Sequence, residues 1–458
     1  MTEQATSLYQ IRKADVSGRP AGTGSSPALG GGQVNGSPAG ARCDVCTGCG
    51  CCRRPGKGLQ VVAQPPEWMI RHSPAATAVK GGYLAAADIG TTTIAMVLYE
   101  GTGNAVASYL NVNPQLRYGA DVLSRIQAAR EPEAANAMQE EVRGSLWEGL
   151  RRFRAAAGDR PLFLSVAANT TMSYLLMGWD TEELSGAPFL AKHLDTVFFS
   201  MAPPSASPRG SRWDTVPSVL LPGVSAFVGA DVLAGIFACG MQEKEERTLL
   251  LDLGTNGEMV LGNREKMLAA STAAGPAFEG GAAAGTWGAD LVSLTAELLD
   301  RGIVDETGLL AEKWFGTGIR IGDVLVTQGS IRQLQLAKGA VRAGIAILLK
   351  HYGLSGYGQV DRVVLAGGLG SYLNPEAAAR IGLLPQELAD KALPGGNTAL
   401  AGAYSYGRRL FLETPESLSR DPAETKTLEA IRENISVLNL AQLPEFEKIY
   451  LASMDFPG

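Results

Sequence analysis

Apolar residues come in short runs, each closed by glycine and small polar residues, over most of the chain beyond residue 80. The run at 248–251 (TLLL) has strand length and should be buried. It ends in Asp252-Leu253-Gly254-Thr255-Asn256-Gly257, and a second apolar segment, 259–261, leads back, so the pattern predicts a hairpin with a tight polar turn. Residues 83–99, YLAAADIGTTTIAMVLY, repeat it: an apolar run, then Asp88-Ile89-Gly90-Thr91-Thr92-Thr93, then another apolar run. A strand–DxGT–strand unit that recurs at domain-scale spacing predicts an internal duplication.

The remaining pattern fills in around the two hairpins. A third strand is expected near 105–110, a helix over 118–130 and a longer one over 133–157, with acids early and arginines late as the helix dipole favours. PLFLSVA (161–167) reads as a buried strand, with Asn169 capping the helix that follows or pointing at a ligand. Residues 180–222 are Pro-rich and read as an irregular insertion. Gly229-Ala230-Asp231 opens an amphipathic helix, where Asp231 is either its N-cap or a carboxylate that orients an attacking nucleophile. Residues 271–290 are rich in Gly and Ala and read as too irregular for a strand; Glu279 is a candidate functional acid there. Helices are expected at 290–301 and 331–353. DRVVLAGGLG then reads as a buried strand running into a glycine turn, Gly367-Gly368, against which a flat base can slide. GGNTALAGAY (395–404) starts a small-residue helix suited to packing closely on the helix at 230–241, and the aromatic tail should be ordered.

Composition narrows the class. The chain has 458 residues, 45% hydrophobic and 19% charged, with net charge −6, which fits a soluble globular protein of two or three domains. That balance predicts neither a nucleic-acid binder nor a membrane-surface protein. The N-terminus lacks an apolar signal core, and no apolar run is long enough to span a bilayer, so a cytoplasmic location is expected.

Two chemistries stand out. The glycine-bearing hairpin turns suit phosphate: glycine lets backbone N–H groups approach an anion, Thr and Asn add donors, and an Asp at the strand end can hold a hydrated cation. Two such turns facing each other would grip one polyphosphate. The second chemistry is a cysteine cluster after a Gly/Ser/Ala/Pro-rich arm that should be disordered. Cys43, Cys46 and Cys49 form C-x2-C-x2-C, followed by Cys51 and Cys52. That spacing suits a [4Fe–4S] loop first, zinc second, with an unliganded segment as the bland reading. The fourth ligand is open among Cys51, Cys52 and a thiolate from a partner chain, and a homodimer is therefore allowed. Cys239 lies in a predicted helix and reads as a small buried hydrophobe.

Taken in order, DIGTTT, NPQLRYGADVLSRI, AANTTMSYLLMG, FVGAD, DLGTNGE, STAAGPAFEG, IRQLQLAKGAVRAGI and LAGGLGSYLN resemble the acetate and sugar kinase/Hsc70/actin superfamily, and in detail its reductive activators of corrinoid proteins. The resemblance spans roughly residues 83–405. It implies two ribonuclease-H-like α/β domains closing over Mg-ATP. The layout would be a disordered arm (1–42), a cysteine cluster and linker (43–80), ATPase subdomains I (81–229) and II (230–410), and an extension (411–458). It further implies that Asp88 and Asp252 hold hydrated Mg²⁺ and that Asp231 serves catalysis. Gly90, Thr91, Thr92, Thr93, Gly254, Thr255, Asn256 and Gly257 would line the phosphates, and Gly367 and Gly368 the adenosine. The activity implied is ATP-driven reduction of a Co(II) corrinoid to Co(I) in a methyltransferase system, with the corrinoid protein and an electron donor as partners. Family members commonly carry a complete ferredoxin-type domain, whereas here only the compact Cys43–Cys52 cluster precedes the core, so the electron relay is either that cluster or a separate protein. The rival readings are a metabolite kinase with Asp231 as base, an activator of radical acyl-CoA dehydratases or reductases, and a nucleotide-sensing module that hydrolyses ATP poorly.

Overall fold

The computed structural model describes Pro66, Met69 and residues 81–204, 215–275, 288–322, 324–411 and 427–458. The cysteines at 43–52 and Glu279 lie outside the described residues.

Two six-stranded sheets carry the duplication. The first has strands β1 (Tyr83–Ile89), β2 (Thr93–Glu100), β3 (Ala105–Val112), β4 (Leu162–Ala168), β5 (Val197–Met201) and β6 (Val216–Leu220), in the order β3-β2-β1-β4-β6-β5. The second has β7 (Thr248–Leu253), β8 (Asn256–Gly262), β9 (Met267–Ala273), β12 (Arg362–Ala366), β13 (Ala392–Gly396) and β14 (Ile435–Leu438), in the order β13-β12-β7-β8-β9-β14; β10 (Ile319–Ile321) and β11 (Val324–Val326) pair separately. Strands β3-β2-β1-β4-β6 match β9-β8-β7-β12-β13 in both order and direction. In each set a three-stranded antiparallel meander is followed by two parallel strands. Each meander reaches its first parallel strand through a long helix, Pro132–Ala157 in one half and Gln328–Tyr352 in the other. A capping box of Thr327 and Ser330 starts the second, and Gly353 ends it at φ +95°.

The central strands are apolar on both faces because both faces are covered. In β1, Tyr83, Ala85, Ala87 and Ile89 face the core under the Pro132–Ala157 helix, while Leu84 and Ala86 face a core shared between the halves. Strand β7 does the same with Leu249, Leu251 and Leu253 on one side and Leu250 on the other.

The shared core is organised by two helices, Ala230–Cys239 and Thr398–Phe411, which lie between the sheets. They touch backbone to backbone at Gly402, where a Cβ would lie 2.0 Å from the Ala234 carbonyl oxygen, and Thr398–Phe411 also packs on the first sheet at Gly407, where a Cβ would lie 2.5 Å from Ser165 Cβ of β4. The close packing expected from the small residues at 395–404 is therefore present. Cys239 ends its helix only 2% exposed, and burial pushes its thiol up to about 12.

Four expectations need correction. Residues 180–222 are no mere insertion, since they supply β5 and β6; Pro217 disguised a strand that pairs with β5 from the same segment on one side and with β4 on the other. Ser271–Ala273 belong to β9, where small residues keep strand geometry because β8 pairs with them. The helix expected over 118–130 spans only Val122–Ala128, preceded by a 3-10 turn at Pro114–Tyr118 that Asn113 caps. The N-cap of the Ala230–Cys239 helix is Gly229, and Asp231 lies inside the first turn. The tail is ordered as expected, with a helix at Phe446–Ala452 and Phe456 buried.

A candidate nucleotide site between two hairpins

The two DxGT turns meet. Thr92 Oγ1 lies 3.3 Å from Thr255 Oγ1, although the two belong to different sheets. In each turn the glycine amide closes the loop at 2.9 Å, but the loops differ by one residue: the Gly90 amide donates to the Thr93 carbonyl three residues on, and the Gly254 amide to the Asn256 carbonyl two residues on.

The first turn is braced from three sides by residues whose place in the sequence suggests no separate role, or an ambiguous one. Asn113 is fully buried; its Nδ2 donates to the Gly90 carbonyl at 2.9 Å and its amide to the Thr92 carbonyl at 2.8 Å. Arg125, also fully buried, donates to the Thr91 carbonyl and, at 3.0 Å, to the Gly119 carbonyl. Asn169 has two duties: Oδ1 caps its helix by accepting the Met172 amide, and Nδ2 points into the site and donates to Thr91 Oγ1 at 3.2 Å. A buried guanidinium behind the turn adds positive charge where an anion would sit.

Beneath the turns four carboxylates face one another: Asp88, Asp231, Asp252 and Glu258. Each keeps part of its surface open. Burial pushes Asp88 up to about 6, with the Asn397 amide partly opposing it. Burial and then the neighbouring Asp88 push Asp231 up to about 7, although the Val232 amide donates to its Oδ1 at 2.8 Å. Burial, then Asp231 and Asp88, push Asp252 up to about 8. Glu258 sits opposite Asp252 on the return strand and is raised well above the carboxylate range by burial, then by Asp231 and Asp252. The signal for Glu258 was its place after the second turn, in register with Asp252. The first hairpin has Ala95 opposite Asp88, so the duplication is asymmetric here.

Such crowding of like charge fits a site built around a cation. Among the described residues, no three His, Cys, Asp or Glu side chains converge closely enough to ligate a metal directly. This donor set matches Mg²⁺ that keeps its water shell and meets the carboxylates through it.

The glycines divide by function. Gly254 and Gly368 have open space where a Cβ would point, and so leave room for a ligand. Gly257 is buried, with a Cβ position 3.1 Å from Val341, so its lack of a side chain lets the Gln328–Tyr352 helix seat closely on β8. Gly367 has φ +79°, and a Cβ there would fall 2.3 Å from Asp252 Oδ1, so the backbone presses directly on the carboxylate. On the reading that this site binds and hydrolyses ATP, Gly367→Ala should cut turnover by about tenfold or more through displacement of Asp252, whereas Gly368→Ala should keep the wild-type melting temperature and raise only the KM for ATP. Steady-state kinetics with thermal melts on the two variants check this.

With this geometry, family models cover most of the chain. The RACo middle region matches residues 83–244, and the C-terminal domain of RACo, the ASKHA domain, matches 246–289 and 281–458. The chain belongs to the RACo family. It is 28% identical over 437 residues to the corrinoid activation enzyme RamQ of Eubacterium limosum, a match that covers 82% of this chain and 70% of that protein. It is 25% identical over 316 residues to the [Co(II) methylated amine-specific corrinoid protein] reductase of Methanosarcina barkeri, covering 57% of this chain and 56% of that protein. A solved reductive activator for a corrinoid, iron–sulfur protein superposes with TM-score 0.69 at 26% identity, over 84% of this chain and 67% of that one. The two RACo models meet just after the Ala230–Cys239 helix, so the helix pair between the sheets joins the middle region to the ASKHA domain. Among the described residues no helix is long and apolar enough to cross a membrane.

Proposed function

We propose that this RACo-family chain is an ATP-dependent reductive activator of a corrinoid protein in a methyltransferase system. The observation that carries the reading is the meeting of the two DxGT turns over a shared carboxylate cluster. The relatives' activities agree with it.

ATP is the substrate consumed. Bound Mg²⁺ would supply charge neutralisation between the phosphates and the carboxylates. Asp88 and Asp252, one from each half, would hold it through its hydration shell. The amides and hydroxyls of Gly90–Thr93 and Gly254–Asn256 bind the phosphate oxygens, with Arg125 and Asn113 fixing the first turn. Asp231, in the first turn of the helix between the sheets, orients the attacking water and accepts its proton. Gly367 and Gly368 admit the adenosine. Closure and reopening of the two halves around hydrolysis would act on a docked corrinoid protein through shape, with no phosphoryl group passed to it.

The redox balance is one electron from a low-potential donor onto Co(II), giving Co(I), alongside hydrolysis of ATP to ADP and phosphate. The cysteines Cys43, Cys46, Cys49 and Cys52, as a [4Fe–4S] relay on this chain, are part of the proposal and lie outside the described residues. In the test, protein, Mg-ATP, a chemical reductant and a Co(II) corrinoid partner are mixed anaerobically and the cobalt spectrum is followed. Co(I) should form only with ATP. Formation at the same rate without ATP would overturn the reading and raise the metabolite-kinase alternative.

A further inference from the structure

Asn397 ties the ASKHA half to the first aspartate. Its Nδ2 donates to Asp88 Oδ2 at 2.7 Å, across 309 residues of sequence. Its Oδ1 accepts the Leu400 amide at 2.7 Å, and its carbonyl accepts the Ala401 amide at 3.1 Å, so it also caps the Thr398–Phe411 helix. Both ends of the amide are committed. The oxygen must face the Leu400 amide, so the NH₂ must face the carboxylate, and the flipped amide would oppose like to like at both ends.

The residue type follows from this double duty. Ser and Asp cap a helix as well as Asn does, and Thr nearly so. Asp would set a second carboxylate against Asp88, and the hydroxyls are too short to reach it. Of the usual caps, only Asn accepts from the helix and donates to Asp88 at once.

The donor's own seat is fixed. Residue 397 follows β13 of the second sheet, and its helix is wedged against Ala234 at Gly402 and against Ser165 and Leu84 of the first sheet at Gly407. The helix cannot slide without clashing on one side or the other. Asn397 thus carries the position of a rigid interdomain helix directly to Asp88.

We propose that Asn397 is a positioning residue for the Mg²⁺ site, holding the Asp88 carboxylate in the orientation that meets the hydrated ion and making that orientation depend on the seating of the Thr398–Phe411 helix. The proposal rests on the reading of Asp88 as a Mg²⁺-holding group, and the experiment separates the two.

Asn397→Ser keeps a cap acceptor and removes the reach to Asp88. ATP hydrolysis is measured against Mg²⁺ concentration for the wild type, Asn397→Ser and Asp88→Asn. Binding of a fluorescent ATP analogue in EDTA and a thermal melt are measured beside it. For Asn397→Ser the Mg²⁺ needed for half-maximal rate should rise about tenfold, with most of the turnover restored at saturating Mg²⁺ and metal-free nucleotide affinity unchanged. An unchanged Mg²⁺ requirement, whether or not the melt shifts, makes Asn397 a helix cap only and overturns the proposal. If Asp88→Asn also leaves the Mg²⁺ requirement untouched, the reading of Asp88 falls first and the proposal with it. If the Ser variant does not fold, Asn397→Thr takes its place: it is another competent cap too short to reach Asp88, and a raised or unchanged Mg²⁺ requirement supports or overturns the proposal in the same way.

Discussion

Asp252→Asn should abolish ATP hydrolysis and, at the same time, raise the melting temperature of the protein in the absence of Mg²⁺. Asp252 lies in a buried group of acids that raise one another's proton affinity, and burial and its neighbours push it up to about 8. The amide keeps the shape and removes an acid that the fold must either hold protonated near neutral pH or leave charged beside its neighbours above about pH 8. Each kcal/mol of that cost removed should add roughly 2–4 °C to Tm. Hydrolysis should fall by about a thousandfold or more, because one of the two carboxylates proposed to hold the hydrated ion is gone. The Mg²⁺-induced rise in Tm should vanish with it.

The sign of the pH dependence follows from the same cluster. Asp88, Asp231 and Asp252 sit at about 6, about 7 and about 8 in the fold, all above the ordinary carboxylate value near 4. Between those limits the folded chain binds more protons than the unfolded one, so its Mg²⁺-free stability falls as pH rises from about 4 to about 8. Mg²⁺ should therefore stabilise most at the alkaline end and least near pH 5. Asp252→Asn should flatten the slope. A variant that melts lower than wild type and still responds to Mg²⁺ would place the cation elsewhere.

Gly402→Ala should be among the most damaging single methyl additions in the molecule. The new carbon would stand 2.0 Å from the Ala234 carbonyl oxygen and 2.4 Å from its carbon, against main chain that cannot swing aside. The helices must separate, at a cost of about 1–3 kcal/mol or more. Because this pair joins the halves, turnover should fall well below the melting range, with a raised KM for ATP. Leu410→Ala, on the exposed side of the same helix, should change neither. A Gly402→Ala protein with wild-type Tm would mean that the two helices are not in backbone contact.

The hairpins and central strands were legible because their signal is local: an apolar run, Asp and Gly at the end, and the whole unit repeated. The close pairing of the Ala230–Cys239 and Thr398–Phe411 helices was legible for a related reason, since small residues at helical spacing have few other uses. Strands β5 and β6 were not, because they are only five residues long, sit among prolines (one of them Pro217 inside β6), and become strands when β4 offers its edge. Glu258 carried a signal only through the hairpin register that sets it opposite Asp252, since an acid on a return strand has no signature of its own. Asn113 and Arg125 sat within NPQLRYGADVLSR without a role, because what they hold is the backbone of a turn more than twenty residues upstream. Asn397 read as a helix start and is one; its second duty depends on an atom 309 residues away.

The wedged helix also bears on synthesis. One face of the first sheet is covered by Thr398–Phe411, which leaves the ribosome long after β6. At translation rates of about 5–20 residues per second, the nascent middle region waits on the order of ten seconds or more with Leu84, Ala86 and their neighbours uncovered. A chain truncated before residue 398 would keep that face bare, so the middle region expressed alone should be a client for chaperones, while the full chain should bury the face without help once its last strands have formed.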